Sequence, residues 1–425
     1  MEILTSYNII IEASIIIILS FIFSEIARKT NIPSVLMLIA LGILMKLGLD
    51  ALGYGGLDFL PILEVLGIVG LIMIVLEAAL ELELKREKLW PIGKALLIAL
   101  LGLMGSAWAA AEILKLAMPE ISNLQAWLYA TPLSILSSAI IIPSVTGLKA
   151  HKKEFHIYES TFSDILGIML FYFLSGQVEV AGESHSNSIG GFFANLGLTI
   201  AIALIASYGI VLIFQNIRSH IKLFLLISVL LLLYALGKQM HLSSLLIILV
   251  FGLVIANMQL FFRGRLSRWL HLEKAGQIYE GLHVITGETA FVVRTFFFVI
   301  FGLTISLASL ASGKVVLVSL LLIASIYLIR FVLLRLFLGN DILPQLFVAP
   351  RGLITVLLFV AIPKEAAVEG FEPGILLFII IATSLIMTFA MVWDKRRTGR
   401  AIQEAKNVSV GYTKWKAPEI KGEEG

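Results

Sequence analysis

Charge-free apolar runs of roughly 18 to 25 residues recur from one end of this chain to the other, and no other feature restricts its fold as much. An α-helix needs about that length to cross the ~30 Å hydrocarbon core of a bilayer, whereas an outer-membrane strand needs about half as many residues. Across 425 residues, 59% are hydrophobic and only 14% are charged, more apolar sequence than a soluble core can use. The chain is expected to be an all-α, polytopic membrane protein.

Several function classes drop out early. Cysteine is absent, which excludes disulfides, thiolate metal sites and a cysteine nucleophile. The net charge of +3 is too small to suggest a nucleic acid or another polyanion as partner. There is no H-E-x-x-H pair, no G-x-G-D setting for an aspartyl protease and no phosphate-binding loop, so neither an enzyme nor an ATP-driven pump is expected. Met1-Glu2-Ile3 is not a basic leader, and the first apolar run is expected to be retained as a helix.

Apolar windows bounded by charged or Gly/Pro clusters predict about thirteen helices. Lys and Arg concentrate in alternate loops, at Arg28 and Lys29, Lys85 to Lys88, Lys149 to Lys153, Arg218 and Lys222, Arg263 to Lys274, and Lys395 to Arg400. Such loops face the cytoplasm, which puts the N-terminus outside and the C-terminus inside. Residues 263–278 are basic and amphipathic and are expected to lie along the cytoplasmic surface. The polar tail, 394–425, is too short for a nucleotide-binding regulatory domain.

Thirteen helices divide into two halves of opposite orientation around one linker, the inverted-repeat plan of many secondary transporters. Two corresponding segments are interrupted. The fifth, 126–148, contains Pro132, Ser137-Ser138 and Pro143, and the twelfth, 344–362, contains Pro344 and Pro350-Arg351-Gly352. Broken helices expose backbone groups that only a polar cavity can accommodate in a membrane, so the site is expected where the two segments cross.

Charges inside the spans each cost at least about 2.5 kcal/mol at the bilayer centre and are functional candidates by default. The sixth segment, 156–178, opens with Glu159-Ser160-Thr161-Phe162-Ser163-Asp164. Glu159 and Asp164 lie about 140° apart around a helix and so address different surfaces, whereas Ser160 and Asp164 share a face. A carboxylate and a hydroxyl on one face offer hard oxygen ligands to a small monovalent cation. A proton competes for the same carboxylate, which is the minimum chemistry of an antiporter. Arg330 is the natural partner for a buried carboxylate, with Arg294 as an alternative if it does not snorkel; Glu77 and Arg351 form a second expected pair.

These residues resemble the cation/proton antiporter superfamily, especially the NhaP and Na+/H+ exchanger branch. Its E-S-x-x-N-D motif is similar to Glu159-to-Asp164, and Leu76-to-Leu82 looks like its third-helix signature. Phe297-to-Leu303 resembles F-F-x-x-x-G-L, Arg330 matches an arginine that pairs with the motif glutamate, and Pro350-to-Ile354 resembles the R-G-x-I break. Two positions depart: Ser163 replaces the family asparagine, and Ser137-Ser138 stands where a Thr-Asp is usual, more like the potassium-efflux branch.

The resemblance implies an NhaA/NapA-like fold over 1–393, with mobile core helices at about 91–178 and 314–393 and dimerisation or scaffold helices at about 5–83 and 220–307. It implies a homodimer in which Asp164 carries the exchanged ion, Ser160 is a ligand and the Glu159 to Arg330 pair is a structural or regulatory bridge. Ser163, Ser137 and Ser138 supply further hydroxyls. The expected function is exchange of a monovalent cation, Na+ favoured and K+ or Li+ possible, for H+ by alternating access, with no resident cofactor. One exchanging carboxylate suggests electroneutral one-for-one exchange. Channel-like K+ efflux on the same fold is the alternative; Gly53-Tyr54-Gly55 copies a selectivity-filter triplet but lacks its Thr-Val lead-in and reads as a turn.

Overall fold

The structure is a computed structural model that describes residues 6–30, 33–51, 60–82, 84, 88–180, 189–217, 222–239, 244–262, 272–304, 312–368 and 370–407. All regular structure among them is helical. The longer helices are α1 (Ser6–Thr30), α2 (Ser34–Ala51), α3 (Leu60–Glu81), α4 (Leu89–Ala117), α5 (Asn123–Ser134) and the short α6 (Ser138–Ser144). They are followed by α7 (Ala150–Val180), α8 (Ile189–Phe214), α9 (Lys222–Gln239), α10 (Ser244–Ala256) and its one-turn continuation α11 (Met258–Phe261). The chain ends with α12 (Leu272–Thr304), α13 (Gly313–Leu338), α14 (Leu353–Val360) and α15 (Gly374–Asn407).

Eight helical stretches among the described residues are long and apolar enough to span a bilayer, counting α5 and α6 as one, and α1, α9 and α10 are shorter apolar helices. With α3 and the interrupted segment that carries α14, every segment expected from the sequence contains helix. Leu, Ile, Phe and Trp side chains such as Ile18, Phe21, Trp108, Ile205, Leu328 and Phe389 face outward. Lipid is the solvent that makes such a surface stable. The Gly53-Tyr54-Gly55 turn and residues 263–271 of the expected surface stretch lie outside the described residues. Residues 272–278 are not a separate surface helix but the first turns of α12.

The helices pack in two groups. α12 packs on α2 and α3, and α10 on α3, α8 and α9. In the other group α4 packs on α5, α7 and α13, α7 on α5 and α6, and α13 on α15. With no hydrophobic drive between helices in lipid, close packing depends on small residues. Gly42 and Gly302 show it directly. A Cβ on Gly42 would come within 2.9 Å of the Gly302 Cα, so the two glycines let α2 and α12 touch backbone to backbone.

The interruptions follow from local chemistry. A capping box of Ser122 and Gln125 starts α5. Pro132 cannot donate to the carbonyl one turn earlier, and the Thr131 and Ser134 hydroxyls turn back to bond the Trp127 and Ala130 carbonyls. The chain then unwinds over Ile135 to Ser137 before α6 begins. In the second segment a turn at Gln345–Phe347 is followed by non-helical backbone from Val348 through Gly352, ahead of α14. Pro350 disfavours helix at the residue before it.

Candidate functional site

The two breaks cross. The Ser137 N–H donates to the Pro350 carbonyl at 3.0 Å, one backbone hydrogen bond linking the unwound parts. A Cβ on Gly352 would come within 2.9 Å of both the Ser137 Cβ and the Ile140 Cδ1, so only glycine permits this approach. The helix carrying the motif, α7, packs on both α5 and α6 and reads the break from its side.

Each residue of the motif does something different there. Glu159 is 1% exposed and accepts two hydrogen bonds from Arg330, Nη1 to Oε1 at 2.7 Å and Nη2 to Oε2 at 2.9 Å. This bidentate pair joins α7 to α13. Arg330 spends its other donors on the Gln345 carbonyl, at 3.1 Å from Nε and 3.0 Å from Nη2, so it also holds the entrance of the second interrupted segment. The Ser160 hydroxyl donates to the His156 carbonyl at 2.7 Å, within its own helix. Ser163 Oγ accepts from the Leu136 N–H at 3.0 Å. The residue in the place of the family asparagine thus satisfies an amide that unwinding α5 would leave unpaired.

Asp164 differs from the rest. It is 1% exposed, and it faces the N–H and hydroxyl of Ser138 on the first turn of α6. Neither of its oxygens completes a hydrogen bond. A buried carboxylate without a cationic side chain beside it is costly unless a proton or cation completes it. The other buried acid of the motif is fully committed to Arg330, so Asp164 alone keeps acceptor capacity free. Ser137 and Ser138 are buried beside it at the break.

The expected pair of Glu77 with Arg351 is not formed. Arg351, 1% exposed, donates from Nε to the Leu133 carbonyl at 2.9 Å, from Nη2 to the Ser134 carbonyl at 3.2 Å and from Nη1 to the Ala349 carbonyl at 2.9 Å. Its cation lies against the C-terminal carbonyls of α5, which the break leaves without helical donors and which carry partial negative charge. Its own N–H donates to Thr383 Oγ1 on α15 at 3.0 Å. Glu77 is paired instead with Arg294, Nη2 to Oε2 at 2.8 Å, because α3 packs on α12. Arg294 therefore neither snorkels nor serves Glu159.

His156 stands three residues before Glu159 on α7. It is fully buried, with Nδ1 3.3 Å from Glu159 Oε2. Its spacing three residues before Glu159 was the available signal, since positions i and i+3 share a helix face. Gln345 and Thr383 act through a backbone carbonyl and a hydroxyl respectively, which no charge pattern marks.

Two cavities adjoin these residues. One of about 30 Å³, room for about one water, is lined by Glu159, Arg330, Arg351, Ser134, Ser163 and Ser106 among others. The other, about 390 Å³, lies between α1, α2, α6 and α12 and is lined by Ser20, Glu25, Ala139, Ile140, Glu288 and Arg294 among others. It runs along α6 to the middle of α12, and so lies between the two groups of helices.

Residues 15–394 match the family described as sodium/hydrogen exchanger, transmembrane. The fold is similar to that of the sodium proton antiporter MjNhaP1 from Methanocaldococcus jannaschii at pH 8. The TM-score is 0.67 at 18% identity, with 92% of this chain and 97% of that one covered. A second structure of the same antiporter, from an electron-microscopy map, gives a TM-score of 0.65 at 18% identity, covering 97% of this chain and all of the other. No curated protein matches the chain by sequence.

Proposed function

The chain belongs to the transmembrane sodium/hydrogen exchanger family, a family of transporters rather than enzymes, and we propose that it exchanges one monovalent cation for one proton at Asp164. The supporting observation is the contrast within one motif: Glu159 is held by the Arg330 guanidinium, while Asp164, equally buried, has no cationic partner and faces only the N–H and hydroxyl of Ser138. A proton or a dehydrated cation can complete that carboxylate, one at a time. Competition between them is antiport.

Ligands for the cation come from Asp164, from the hydroxyls of Ser137, Ser138 and Ser160, and from carbonyls freed at the crossing. Ser163 accepts the Leu136 N–H through one of its two oxygen lone pairs, which holds the break in place and leaves the other for the cation. Na+ is the favoured cargo, as in the antiporter of similar fold. Arg330 and Glu159 act as a bridge that keeps α7, α13 and the second break in register.

The mechanism is alternating access. The group containing α4 to α7 and α13 to α15 moves against the group built on α1 to α3 and α9 to α12, and the 390 Å³ cavity between them is the approach from the side of the basic loops. That side is cytoplasmic, with the C-terminus inside and the N-terminus outside, and the scaffold group supplies the surface of a homodimer.

The test is dissipation of a pH gradient by vesicles carrying the protein when Na+, K+ and Li+ are added in turn, followed by the same measurement on Asp164→Asn. Wild-type flux with at least one cation, absent in the folded variant, is the expected result. Retained flux in Asp164→Asn removes Asp164 from the mechanism. A turnover that responds strongly to a clamped membrane potential, worth about 2.3 kcal/mol per charge per 100 mV, refutes one-for-one exchange.

A further inference from the structure

A positive charge lines the space through which a cation is to arrive. Gly287, Glu288, Phe291, Arg294 and Thr295 share one face of α12 and form a wall of the 390 Å³ cavity. α1 supplies another wall, with Ser20, Phe21, Ser24 and Glu25. The two helices are tied at the inner end of this space, where the Ser20 and Thr295 hydroxyls meet at 2.6 Å. Arg294 is next to that tie. Glu288, six residues or about 9 Å away along the helix, and Glu25 lie toward the basic loops.

The guanidinium is tethered there. Its Nη2 donates to Glu77 Oε2 at 2.8 Å, and α3, which carries Glu77, adds no residue to the cavity wall among the described residues. The counter-charge therefore stands behind the arginine and not in front of it. The Arg294 side chain is still 19% accessible, so its charge is felt in the cavity. A cation on this route meets two carboxylates first and an arginine afterwards.

We propose that Arg294 is a specificity-determining residue, which keeps divalent cations from lodging in the cavity while monovalent ones pass; this rests on the reading of the cavity as the approach to Asp164. Two carboxylates with the hydroxyls of Ser24, Ser34 and Ser144 are the hard oxygens that Mg2+ and Ca2+ prefer. Left to themselves they would hold a divalent ion in the path. A fixed positive charge opposes such an ion twice as strongly as it opposes a monovalent one at the same place. Arg294 thus takes a little attraction from the cargo and twice as much from its competitor.

The experiment is proton flux driven by Na+, K+ or Li+, whichever the wild type carries, in proteoliposomes holding the protein in one orientation, with Mg2+ or Ca2+ added on one side at a time. Wild type is expected to resist both ions. Arg294→Gln is expected to lower the divalent inhibition constant about tenfold on the side of the basic loops, with little change on the other side and a smaller change in the monovalent KM. Arg294→Lys keeps the charge and is expected to keep the resistance. Glu77→Gln/Arg294→Gln leaves Glu77 with no charge to pair and the net charge unaltered, and is expected to be inhibited like Arg294→Gln. Resistance retained in both glutamine variants, equal sensitisation from the two sides, or Arg294→Lys as sensitive as Arg294→Gln overturns this inference and leaves Asp164 exchange standing. A wild-type protein without cation-driven proton flux overturns both.

Discussion

Arg330 and Glu159 are joined by two parallel hydrogen bonds, 2.7 and 2.9 Å long, although they lie on different helices and are 171 positions apart in sequence. The guanidinium plane matches the carboxylate, and the donors left over reach the Gln345 carbonyl. One buried ion pair thereby fixes the relative placement of α7, α13 and the second interrupted segment.

Removing one partner leaves the other charged and buried. Arg330→Ala or Glu159→Ala is expected to destabilise the protein by about 3–5 kcal/mol, read as a lower unfolding temperature in detergent. Arg330→Lys is expected to rescue only part of it, because an ammonium cannot reproduce the fork. An unchanged unfolding temperature in the alanine variants contradicts the bridging role.

The rearranged pairing of Glu77 and Arg351 gives a second prediction. In a double-mutant cycle, Glu77 and Arg294 are expected to couple by more than about 0.5 kcal/mol, while Glu77 and Arg351 are additive within that margin. Arg351→Gln alone is expected to be destabilising, since it leaves the Leu133 and Ser134 carbonyls without their donor. Coupling of Glu77 to Arg351 in the cycle runs against this geometry.

Gly352→Ala tests the crossing itself. Its new Cβ would sit 2.9 Å from the Ser137 Cβ, so the two breaks must part. A cost of about 1–3 kcal/mol is expected, together with slower exchange. Wild-type turnover at wild-type stability places the close approach outside the transport site.

The loop after α13 provides a pH-dependent contact outside the membrane. Lys152 Nζ donates to Asp341 Oδ1 at 2.7 Å and to the Leu343 carbonyl at 2.6 Å. The hydrogen bond from Lys152 holds the Asp341 carboxyl below the usual aspartate range. A depressed folded-state value stabilises above the unfolded pKa of about 3.9, and that stabilisation is lost as pH falls through the folded value. Wild type is therefore expected to exceed Asp341→Asn slightly in stability at neutral pH, and the two are expected to converge in acid. Asp341 is largely exposed, so added salt should shrink the difference. A gap that persists in acid assigns it to something other than this contact.

Much of this arrangement was legible in the sequence. Prolines, paired serines and Pro350-Arg351-Gly352 announced both breaks, because only a few residue types interrupt a membrane helix. Glu159 and Arg330 stood out as charges in apolar segments, and two such charges of opposite sign rarely remain apart. Charge alone misassigned Arg351, whose counter-groups are backbone carbonyls and leave no trace in composition. It likewise paired Glu77 with Arg351 when the partner is Arg294, since sign conveys no distance. Ser163 read only as a hydroxyl of the site, and nothing in the sequence marked that its oxygen also accepts from the unwound Leu136 amide.

The hydrogen bond from Ser137 to Pro350 acts on the two broken segments as a pin acts on the blades of scissors. Neither blade can swing without carrying the pivot, and Arg351 grips the end of α5 from the other blade. Exchange at Asp164, as proposed, then calls for surroundings that move as one body and are opened to water on one side or the other, with the hydrogen bonds at the crossing kept throughout.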